Sequence, residues 1–521
     1  MSARRRRVLA ILGAGAIASA LGIREMVTLA APPTDAKDCP PLRPLSFNAP
    51  SGPTGSGAER LPWSQRGGTI NDVSCLDRTP VHGVVRVTTE DEIRDALSYA
   101  RGAGLKVAMA GARHSMGGHA FASGALILDV NGYNRVQVSP DVPSVTVQTG
   151  AKWLDIQAAI HPRFAVKAMQ STNIFTVAGS ISVNAHGMDH RVGSVERTIR
   201  WLRLMLADGT VVRLSRQENS EIFRHVVGGY GLFGVILDAE IEITQNLLYK
   251  PGRKMISYRD FPTVFEREIL PDPSIGLMYG HLSTARGSFL QDMMLFLYTA
   301  DGTTTGNPPP LSDVSQIGLR RLVFNLSKGG GALMDLKWWA ERTIEPRLEG
   351  CSVTAADVAG ACYVTRNDPM HDSAQYLFNS LEGETDILQE YFVPRERLVA
   401  FLDAARPVLR DSGLTLLNAS VRVAHQENIA LNYAPADMFA LVLYVNQKTD
   451  RAGNEAMARL TRTMVDLCVG HGGRFFLPYQ LHFTPLQLRA AYPEIDAFFA
   501  AKRRYDPGEL FSSTFYETYR A

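Results

Sequence analysis

The sequence predicts an α+β protein, and three observations support this fold class. Of the 521 residues, 45% are hydrophobic and 20% are charged, which is typical of a globular chain. Between residues 60 and 245, short β-branched runs alternate with amphipathic helical patterns. After residue 245 the pattern weakens, and clear strand and helix signals return only near residue 390. At roughly 150 residues per domain, this length indicates two or three domains.

Local signals specify the first elements. Residues 83–88 form a β-branched run, and Thr89 and Glu92 then make a capping box that begins a helix. The next strand, residues 106–110, runs directly into a glycine-rich turn. Further on, the patterns predict strands at residues 126–130 and 145–148 and a helix at residues 153–160.

The following elements include a hairpin and a charged strand. Asp208-Gly209 separates two strand patterns, which is a strong hairpin signal. A helix is predicted at residues 219–227. Residues 235–244 alternate apolar with acidic residues, as an edge or half-exposed strand does. In the second half, residues 301–313 read as a loop, and residues 326–385 mix glycine-rich and helical stretches without a clear period. A strand followed by a helix is expected at 391–409, strands at 421–423 and 439–445, and a helix at 454–469; the chain closes with residues 498–504, Asp506-Pro507 and an aromatic tail.

Charge and cysteine content exclude some functions. Lys and Arg total 54 and Asp and Glu total 52, so the chain is not broadly basic and no nucleic-acid partner is expected. The five cysteines form no CxxC motif and no tight Cys/His group, so no metal site is predicted. A Cys351–Cys362 disulfide is conceivable in an oxidising compartment.

The N-terminus has the layout of a targeting segment. Four arginines at 4–7 precede an apolar run at 8–23, which is shorter than the about 20 residues of a membrane span. Residues 1–31 are therefore a signal or a membrane anchor, and the paired arginines suit a twin-arginine route. The protein is expected to be exported, periplasmic or extracellular, or membrane-anchored. Residues 32–60 read as a linker.

Three glycine-rich elements carry the functional signal. The first, at residues 110–119, follows a strand and could turn backbone N–H groups towards a pyrophosphate, although a surface hairpin is the alternative. The second, at residues 176–187, contains small residues and ends in His186-Gly187. The third, at residues 228–234, satisfies G-x-G-x-x-G. A helix precedes it and a strand follows it, so NAD binding is rejected.

In this order, the three elements resemble the vanillyl-alcohol-oxidase-like flavoproteins, which have the PCMH-type FAD-binding fold. Residues 385–521 resemble the aldonolactone oxidase and alditol oxidase branch, of the D-arabinono-1,4-lactone oxidase type, with some decaprenylphosphoryl-ribose oxidase features. The segments that carry this likeness are residues 390–396, 472–474, 492–493 and 502–507, and Phe511. The resemblance implies an FAD-binding domain at 61–245, a cap domain at 246–480 with a large antiparallel sheet flanked by helices, and a segment at 481–521 that returns to the FAD domain.

The resemblance also implies which residues contact FAD. His114 matches the histidine that often bonds covalently to the flavin, although Arg113 replaces the commoner glycine before it. The matching cofactor-binding positions are Ala110, Gly111, Ala112, Arg113, His114, Ser115, Met116, Thr176, Ala178, Gly179, Ser180, Ser182, Asn184, Ala185, His186, Gly187, Gly234, Val235 and Ile236.

Three residues are the implied catalytic candidates. Arg422 matches the arginine of a Glu-x-Arg motif and could polarise a substrate oxygen or stabilise reduced flavin; a salt-bridged sheet arginine is the alternative. Ser420 stands in place of the glutamate, which argues against an ordinary polyol site. Tyr479 or His482 could lie over the flavin, in a Leu-Pro-Tyr segment similar to that of cytokinin dehydrogenases, or could simply line the pocket.

The implied activity is an FAD-dependent oxidation of a CH–OH group by hydride transfer to flavin N5. The expected substrate is a small sugar-like molecule, such as an aldonolactone or alditol, and O2 or another acceptor reoxidises the flavin. One alternative is a dehydrogenase that passes electrons to a quinone or other carrier and acts on a lipid-linked sugar. Another is a flavin-binding protein without turnover. Membrane attachment through the N-terminus is a further expectation.

Overall fold

A computed structural model describes residues 29–30, 57–300, 310–311, 317–344, 363–371 and 381–521. The predicted targeting segment, apart from residues 29–30, lies outside the described residues. So do the linker up to residue 56, the Cys351–Cys362 pair and most of the predicted loop at 301–313. Among the described helices, none is long and apolar enough to cross a membrane.

The first part of the chain contains two main sheets. Its strands are β1 (Trp63–Arg66), β2 (Thr69–Ile70), β3 (Thr79–Pro80), β4 (Gly83–Arg86), β5 (Val107–Ala110), β6 (Leu126–Asp129), β7 (Val136–Val138), β8 (Ser144–Gln148), β9 (Phe164–Val166), β10 (Ile199–Met205), β11 (Val211–Leu214) and β12 (Val235–Gln245). Its helices are α1 (Glu90–Gly102), α2 (Trp153–Ile160), α3 (Val177–Val183) and α4 (Ser220–Val226).

These strands pair in two ways. One sheet has the order β1-β4-β6-β5, and β6 runs parallel to both of its neighbours. The other has the order β11-β10-β12-β8-β7, is antiparallel throughout, and β9 also pairs with β12. The short strands β2 and β3 pair with each other.

The local signals of this part are confirmed in all but one case. Thr89 and Glu92 form both bonds of the capping box, and Asp208-Gly209 joins the antiparallel strands β10 and β11. Of the two alternatives for residues 235–244, the half-exposed strand is confirmed, because buried residues alternate with the partly exposed Glu240 and Glu242. The edge strand is wrong, because β12 lies between β10 and β8. Its acidic residues have cationic partners in the sheet: Asp238 pairs with Arg203, and Glu242 pairs with Lys167 at 2.7 Å.

The second part of the chain builds one large antiparallel sheet. Its strands are β13 (Leu248–Ser257), β14 (Ile275–Leu282), β15 (Asp292–Thr299), β16 (Val364–Thr365), β17 (Glu384–Pro394), β18 (Thr415–Ala424), β19 (Met438–Lys448) and β20 (Arg474–Phe475). Its helices are α5 (Phe261–Val264), α6 (Ile317–Ser327), α7 (Ala332–Thr343), α8 (Asp368–His371), α9 (Leu398–Asp411), α10 (Arg451–Gly470) and α11 (Pro485–Ala491). The strand order is β16-β13-β15-β14-β18-β19-β17-β20.

Helices cover both faces of this sheet. On one face, Tyr391 of β17 packs against Phe401 of α9, and Gln389 donates to Thr461 of α10 at 2.7 Å. On the other face, Phe324 of α6 stacks on Tyr444 of β19. The predicted α+β fold, with a large antiparallel sheet flanked by helices, is confirmed. The helix α7 falls within residues 326–385, where glycine-rich and helical stretches without a clear period were expected, and α6 lies mostly before that stretch, where no element was predicted.

The last helices, α12 (Ile495–Tyr505) and α13 (Thr514–Tyr519), bring the chain back to the first sheet. Between them, the N–H of Val107 on β5 donates to the carbonyl of Leu510 at 2.7 Å, and the N–H of Ser512 donates to the carbonyl of Val107 at 3.0 Å. Phe511 is fully buried in the core of that sheet. The C-terminal segment thus completes the sheet from which the first glycine-rich turn departs.

Candidate active site

The turn after β5 presents backbone N–H groups to a large cavity. Arg113 and Met116 adopt left-handed conformations, with φ of 59° and 55°, which reverse the chain sharply. The Asp72 carboxylate holds the turn from behind, accepting from the N–H groups of Gly117 and Gly118 at 2.7 and 2.6 Å. Gly111 and Ala112 line the cavity, and within the described ranges their N–H groups donate to no backbone carbonyl of a turn or loop. Such a concave row of N–H donors suits an anion such as a pyrophosphate.

The second glycine-rich element lies directly against this turn. A Cβ added at Gly111 would come within 2.1 Å of Thr176 Oγ1, so only glycine allows the approach. Thr176 caps the N-terminus of α3, where its hydroxyl accepts from the N–H of Gly179 at 3.4 Å. The His114 and Phe175 rings are 4.9 Å apart. The two segments therefore meet, and His114 lies at their junction.

The third element closes the same cavity. Gly231 has φ of 73°, and a Cβ there would lie 2.8 Å from Met109 Cε on β5. The chain then passes through Gly234 into β12, and Gly234, Val235 and Ile236 all line the cavity. The predicted sequence context, a helix before this element and a strand after it, is confirmed by α4 and β12.

The cavity has a volume of about 1210 Å³ and contacts most of the predicted cofactor residues. Those that line it are Ala110, Gly111, Ala112, Arg113, His114, Ser115, Met116, Thr176, Ala178, Gly179, Ser180, Ser182, Ala185, His186, Gly234, Val235 and Ile236. Asn184 and Gly187 are outside the lining. Asn184 binds the buried Glu427 carboxylate at 2.5 Å, and a Cβ at Gly187 would meet the Met169 carbonyl at 1.9 Å, so both support the packing behind the cavity.

One face of the eight-stranded sheet forms the floor of the cavity. Successive side chains of a strand point to opposite faces, so every second residue reaches the floor. The floor residues are Tyr279 and His281 on β14, Met294 and Phe296 on β15, Leu388 and Glu390 on β17, Asn418, Ser420 and Arg422 on β18, and Val442 and Tyr444 on β19. The floor also touches the glycine-rich turn, since the N–H of Leu388 lies 3.4 Å from Met116 Sδ.

A polar cluster stands on this floor beside the α3 segment. The Nε2 atom of His186 lies 2.9 Å from Glu390 Oε1, and both side chains are buried. The guanidinium carbon of Arg422 is 5.7 Å from the centre of the Tyr279 ring, and its buried Nη1 has no hydrogen-bond acceptor in the described part of the chain. A buried donor without an acceptor indicates a place for a ligand.

Tyr479 completes the cluster. Burial and then the charge of Glu390 raise the pKa of Tyr479 well above its usual value, so the phenol stays protonated. Burial lowers the pKa of the Arg422 guanidinium, while the charge of Glu390 and the nearby Tyr279 and Tyr479 oppose that effect. The cluster therefore combines a carboxylate, a cation and a neutral hydroxyl donor at one wall of the cavity, with Glu390 buried and Arg422 and Tyr479 half-buried.

Sequence reasoning placed two of its three catalytic candidates here and missed a residue. Arg422 and Tyr479 line the cavity, whereas His482 does not. Burial lowers the pKa of His482 to about 4, and its carbonyl accepts from Arg462 at 2.8 Å. Glu390 was noted only as part of a family-like segment. It lies between Gln389 and the apolar run Tyr391–Val393 of β17, and a buried acidic residue is costly without a role.

These features fit FAD. Three glycine-rich segments converge on one cavity, the first offers N–H donors for a pyrophosphate, and small side chains of α3 line the adjacent wall. The unsatisfied Nη1 of Arg422 and Nδ1 of His186 point to polar ligand atoms beside that wall.

Comparisons with known proteins agree. Residues 81–215 match the model of an FAD binding domain. "Uncharacterized oxidoreductase ORF5 in fasciation locus" of Rhodococcoides fascians is 33% identical over 33% of this chain and 39% of its own length. "Decaprenylphosphoryl-beta-D-ribose oxidase" of Mycolicibacterium smegmatis is 32% identical over 32% of this chain and 37% of its own. The matches thus span about two fifths of these relatives.

The overall architecture has a solved counterpart. A structure of "Solvent-stable cholesterol oxidase" superposes with a TM-score of 0.66, covering 89% of this chain and 99% of that one at 16% identity. At this identity the likeness concerns the fold alone. The chain has the two-domain VAO/PCMH-type FAD-binding fold, and residues 81–215 match its FAD binding domain.

Proposed function

We propose that this protein is an FAD-dependent oxidoreductase that oxidises a CH–OH group of a sugar-like substrate. The observation that carries the proposal is that one cavity joins the three glycine-rich segments to the buried cluster of Glu390, Arg422 and Tyr479. The names of relatives, including the decaprenylphosphoryl-ribose oxidase, favour a sugar-like donor. Within this class, the aldonolactone and alditol oxidases remain the first choice.

The residues divide into cofactor-holding and substrate-facing groups. The N–H groups of the Gly111–Met116 turn would hold the pyrophosphate, and the α3 segment and Gly234–Ile236 would contact the rest of FAD. When bound, FAD supplies the hydride acceptor of the reaction. The protein supplies orientation and charge, which are the other requirements of such a transfer.

On the substrate side, each residue of the cluster has a distinct task. Arg422 donates to a substrate oxygen and stabilises negative charge that develops there. Glu390 accepts the proton of the substrate hydroxyl, and His186 holds its carboxylate at 2.9 Å. Tyr479 donates a hydrogen bond from its neutral phenol, because its raised pKa prevents ionisation near neutral pH. Asn418 and Ser420 offer further polar contacts on β18.

An anaerobic flavin-bleaching screen tests this function. The purified protein should be yellow, and at least one aldonolactone, alditol or aldose should bleach its absorbance near 450 nm. Subsequent exposure to O2, or to a quinone analogue, distinguishes an oxidase from a dehydrogenase. A yellow protein that no hydroxylated compound bleaches would favour a flavin-binding protein without turnover. A colourless protein that cannot be reconstituted with FAD would refute the cofactor assignment.

His114 is the proposed site of a covalent bond to FAD. It lines the cavity at the junction of the first two segments, and its Nδ1 lies 2.6 Å from the Ala112 carbonyl, which directs Nε2 away from the turn. After acid denaturation, yellow colour should stay with the polypeptide, and a His114→Ala variant should release it. Soluble flavin from the wild-type protein would contradict the link.

Export or membrane attachment through residues 1–31 is part of the same proposal. The disulfide of Cys75 supports it, because such bonds persist mainly in oxidising compartments. A fusion of residues 1–60 to a reporter that is active only after export should be active, and replacing Arg4–Arg7 should abolish that activity. A reporter that stays inactive would contradict export.

A further inference from the structure

The cavity continues beyond the polar cluster into an apolar corridor. We use this name for the space between α6 and the sheet floor, where the apolar lining residues are Leu322, Val323, Phe324, Met294, Phe296 and Val442. Arg320 of α6 and Lys337 and Glu341 of α7 are the charged residues that these helices add to the cavity lining. Apolar walls of this kind gain little from a small sugar, whose hydroxyls would lose their water without replacement partners. The corridor therefore suits a substrate with an apolar part.

The helix α7 is fixed over this corridor by a buried polar contact. Glu341 forms an ion pair with Lys337, with 2.6 Å between Oε1 and Nζ, and its Oε2 lies 3.2 Å from His281 Nε2 on the floor. Burial opposes ionisation of Glu341, but the charge of Lys337 and the nearby His281 lower its pKa to about 2. The ring of Trp338 packs 5.5 Å from His281. These contacts hold α7 as a wall of the cavity.

The outer surface of the same helices is unusually apolar. Among the described residues, ten large apolar side chains are exposed, and five of them lie here: Leu319, Leu333, Leu336, Trp339 and Ile344. We call these five the apolar patch. All except Leu333 also line the cavity, so the corridor and the patch form one continuous apolar surface. Contiguous exposed apolar surface marks a binding face.

The N-terminal segment reaches the same place. Asn325 of α6 donates to the carbonyl of Leu29 at 2.7 Å, and Arg321 donates to the carbonyl of Ala30 at 3.4 Å. The apolar run at residues 8–23 lies only a few residues before Leu29 in the sequence. The segment expected to act as a signal or anchor therefore joins the described structure beside the corridor and the patch.

We propose that the substrate is an amphipathic lipid with a hydroxylated head, and that the apolar patch rests on the bilayer that supplies it. The head lies at Arg422 and Glu390, and the apolar chain occupies the corridor and leaves between α6 and α7. This deepens the proposed function and depends on it for the reaction at the head. The bilayer is the chosen occupant of the patch because the patch continues the corridor and adjoins the N-terminal segment.

A chain-length series tests the substrate class. The holoenzyme is mixed anaerobically with glycerol and its 1-O-alkyl ethers, and with methyl, butyl and octyl glucosides below their micellar concentrations. Each added methylene that enters the corridor should improve the apparent affinity by roughly fourfold, up to the corridor's length. Ala340 of α7 lines the cavity. An Ala340→Phe variant should therefore lower the alkyl chain length beyond which affinity stops improving, and it should leave the response to glycerol unchanged.

A binding measurement separates this inference from the reaction. The probe 11-(dansylamino)undecanoate should bind the holoenzyme at one saturable site and be displaced by octyl glucoside. If the probe binds but no compound reduces the flavin, the proposed function is contradicted, while the corridor still binds an apolar chain. If the short-chain and long-chain compounds reduce the flavin equally and the probe does not bind, the inference is overturned and the proposed function stands.

Quenching by brominated lipid tests the bilayer contact in the full chain. Vesicles of phosphatidylglycerol and dibrominated phosphatidylcholine should quench the fluorescence of Trp339, which is 47% exposed. Most of this quenching should disappear in Trp339→Phe. In that variant, a control tryptophan introduced at the exposed Leu486 of α11 should not restore it. Absent quenching, or equal quenching with and without Trp339, would refute the bilayer contact.

Discussion

At the scale of single residues, the site depends on charged groups that face one cavity together. Arg422 and Glu390 stand on neighbouring parts of one sheet face, and His186 orients Glu390 from the α3 side. Glu390 is buried and Arg422 is half-buried, so each charge is screened less than on the open surface.

Arg422→Gln should separate chemistry from cofactor binding. Removing a preorganised donor of this kind costs about 100- to 1000-fold in rate. We expect such a loss in the anaerobic rate of flavin reduction. The bound FAD content should not change, because the pyrophosphate would be held by the turn after β5 and not by Arg422 on β18. Arg422→Lys should recover part of the rate, and Arg213→Gln in the exposed β10–β11 hairpin should have no effect. An unchanged reduction rate would remove Arg422 from the site.

His190 should make the protein acid-sensitive. Its side chain is buried, both ring nitrogens lack hydrogen-bond partners among the described residues, and burial lowers its pKa from 6.5 to about 4. Between pH 6.5 and 4 the unfolded chain binds a proton that the folded protein does not, so stability falls as the pH drops. The loss approaches about 3 kcal/mol.

The corresponding measurement is denaturant unfolding between pH 7.5 and 4. His190→Leu should be at least as stable as the wild type at pH 7.5 and should lose about 3 kcal/mol less on acidification. Burial also lowers the pKa values of His119 and His482 to about 4. The free energy of unfolding will therefore still fall with pH in both proteins, but less steeply in His190→Leu. Identical pH slopes in variant and wild type would contradict this role of His190.

At the scale of elements, close contact between glycine-rich segments explains the shape of the site. Gly111→Ala should force β5 and its turn away from Thr176, because the new Cβ would lie 2.1 Å from Oγ1. We expect a reduced FAD content, measured by the ratio of absorbance at 450 and 280 nm. Gly102→Ala is the matched control, since nothing lies within 4 Å of its Cβ. Full FAD content in Gly111→Ala would refute the close approach.

Local signals predicted the elements that are determined locally. The capping box at Thr89 and the Asp208-Gly209 hairpin depend on neighbouring residues, so the local sequence specifies them. The glycine-rich turn after β5 has a local signal as well, although Asp72, which is distant in the sequence, also holds it. The helix α7 lies in a stretch where helical and glycine-rich signals are mixed, and α6 was not predicted.

Other features depended on contacts between distant parts of the chain. The acidic residues of β12 suggested an edge or a half-exposed strand. The strand is central and half-exposed, and Arg203 and Lys167, which are far away in the sequence, pair with Asp238 and Glu242. Glu390 has no local motif, and its partner His186 comes from the first part of the chain. The glycine-rich segments that would hold the cofactor were therefore predicted from the sequence more completely than the polar residues of the floor.

At the scale of the whole molecule, the C-terminal segment connects the two parts of the chain. It leaves α12 and pairs with β5, and Ser512 and Ser513 line the cavity. A fully buried ion pair between Lys502 and Asp506 begins this segment, and Asp506 also accepts from the N–H groups of Leu510 and Phe511 at 3.0 and 2.9 Å.

Lys502→Met should destabilise the protein although it is not part of the cavity lining. It leaves Asp506 as an unpaired buried charge, which typically costs about 3–5 kcal/mol. Thermal unfolding should show a clearly lowered midpoint. Arg451→Met, which breaks an exposed pair with Glu455, should change stability by less than about 1 kcal/mol. Equal midpoints for Lys502→Met and the wild type would contradict this account.

The alternation along the sheet floor has a consequence for protein engineering. On β18, Asn418, Ser420 and Arg422 face the cavity, while Ala419 and Val421 between them are buried in the core. A library restricted to the cavity-facing positions of β14, β15, β18 and β19 would sample new donor specificities without touching the glycine-rich cradle. Related proteins could diverge in the same way, by changing the cavity-facing positions of the sheet while the glycine-rich segments stay the same.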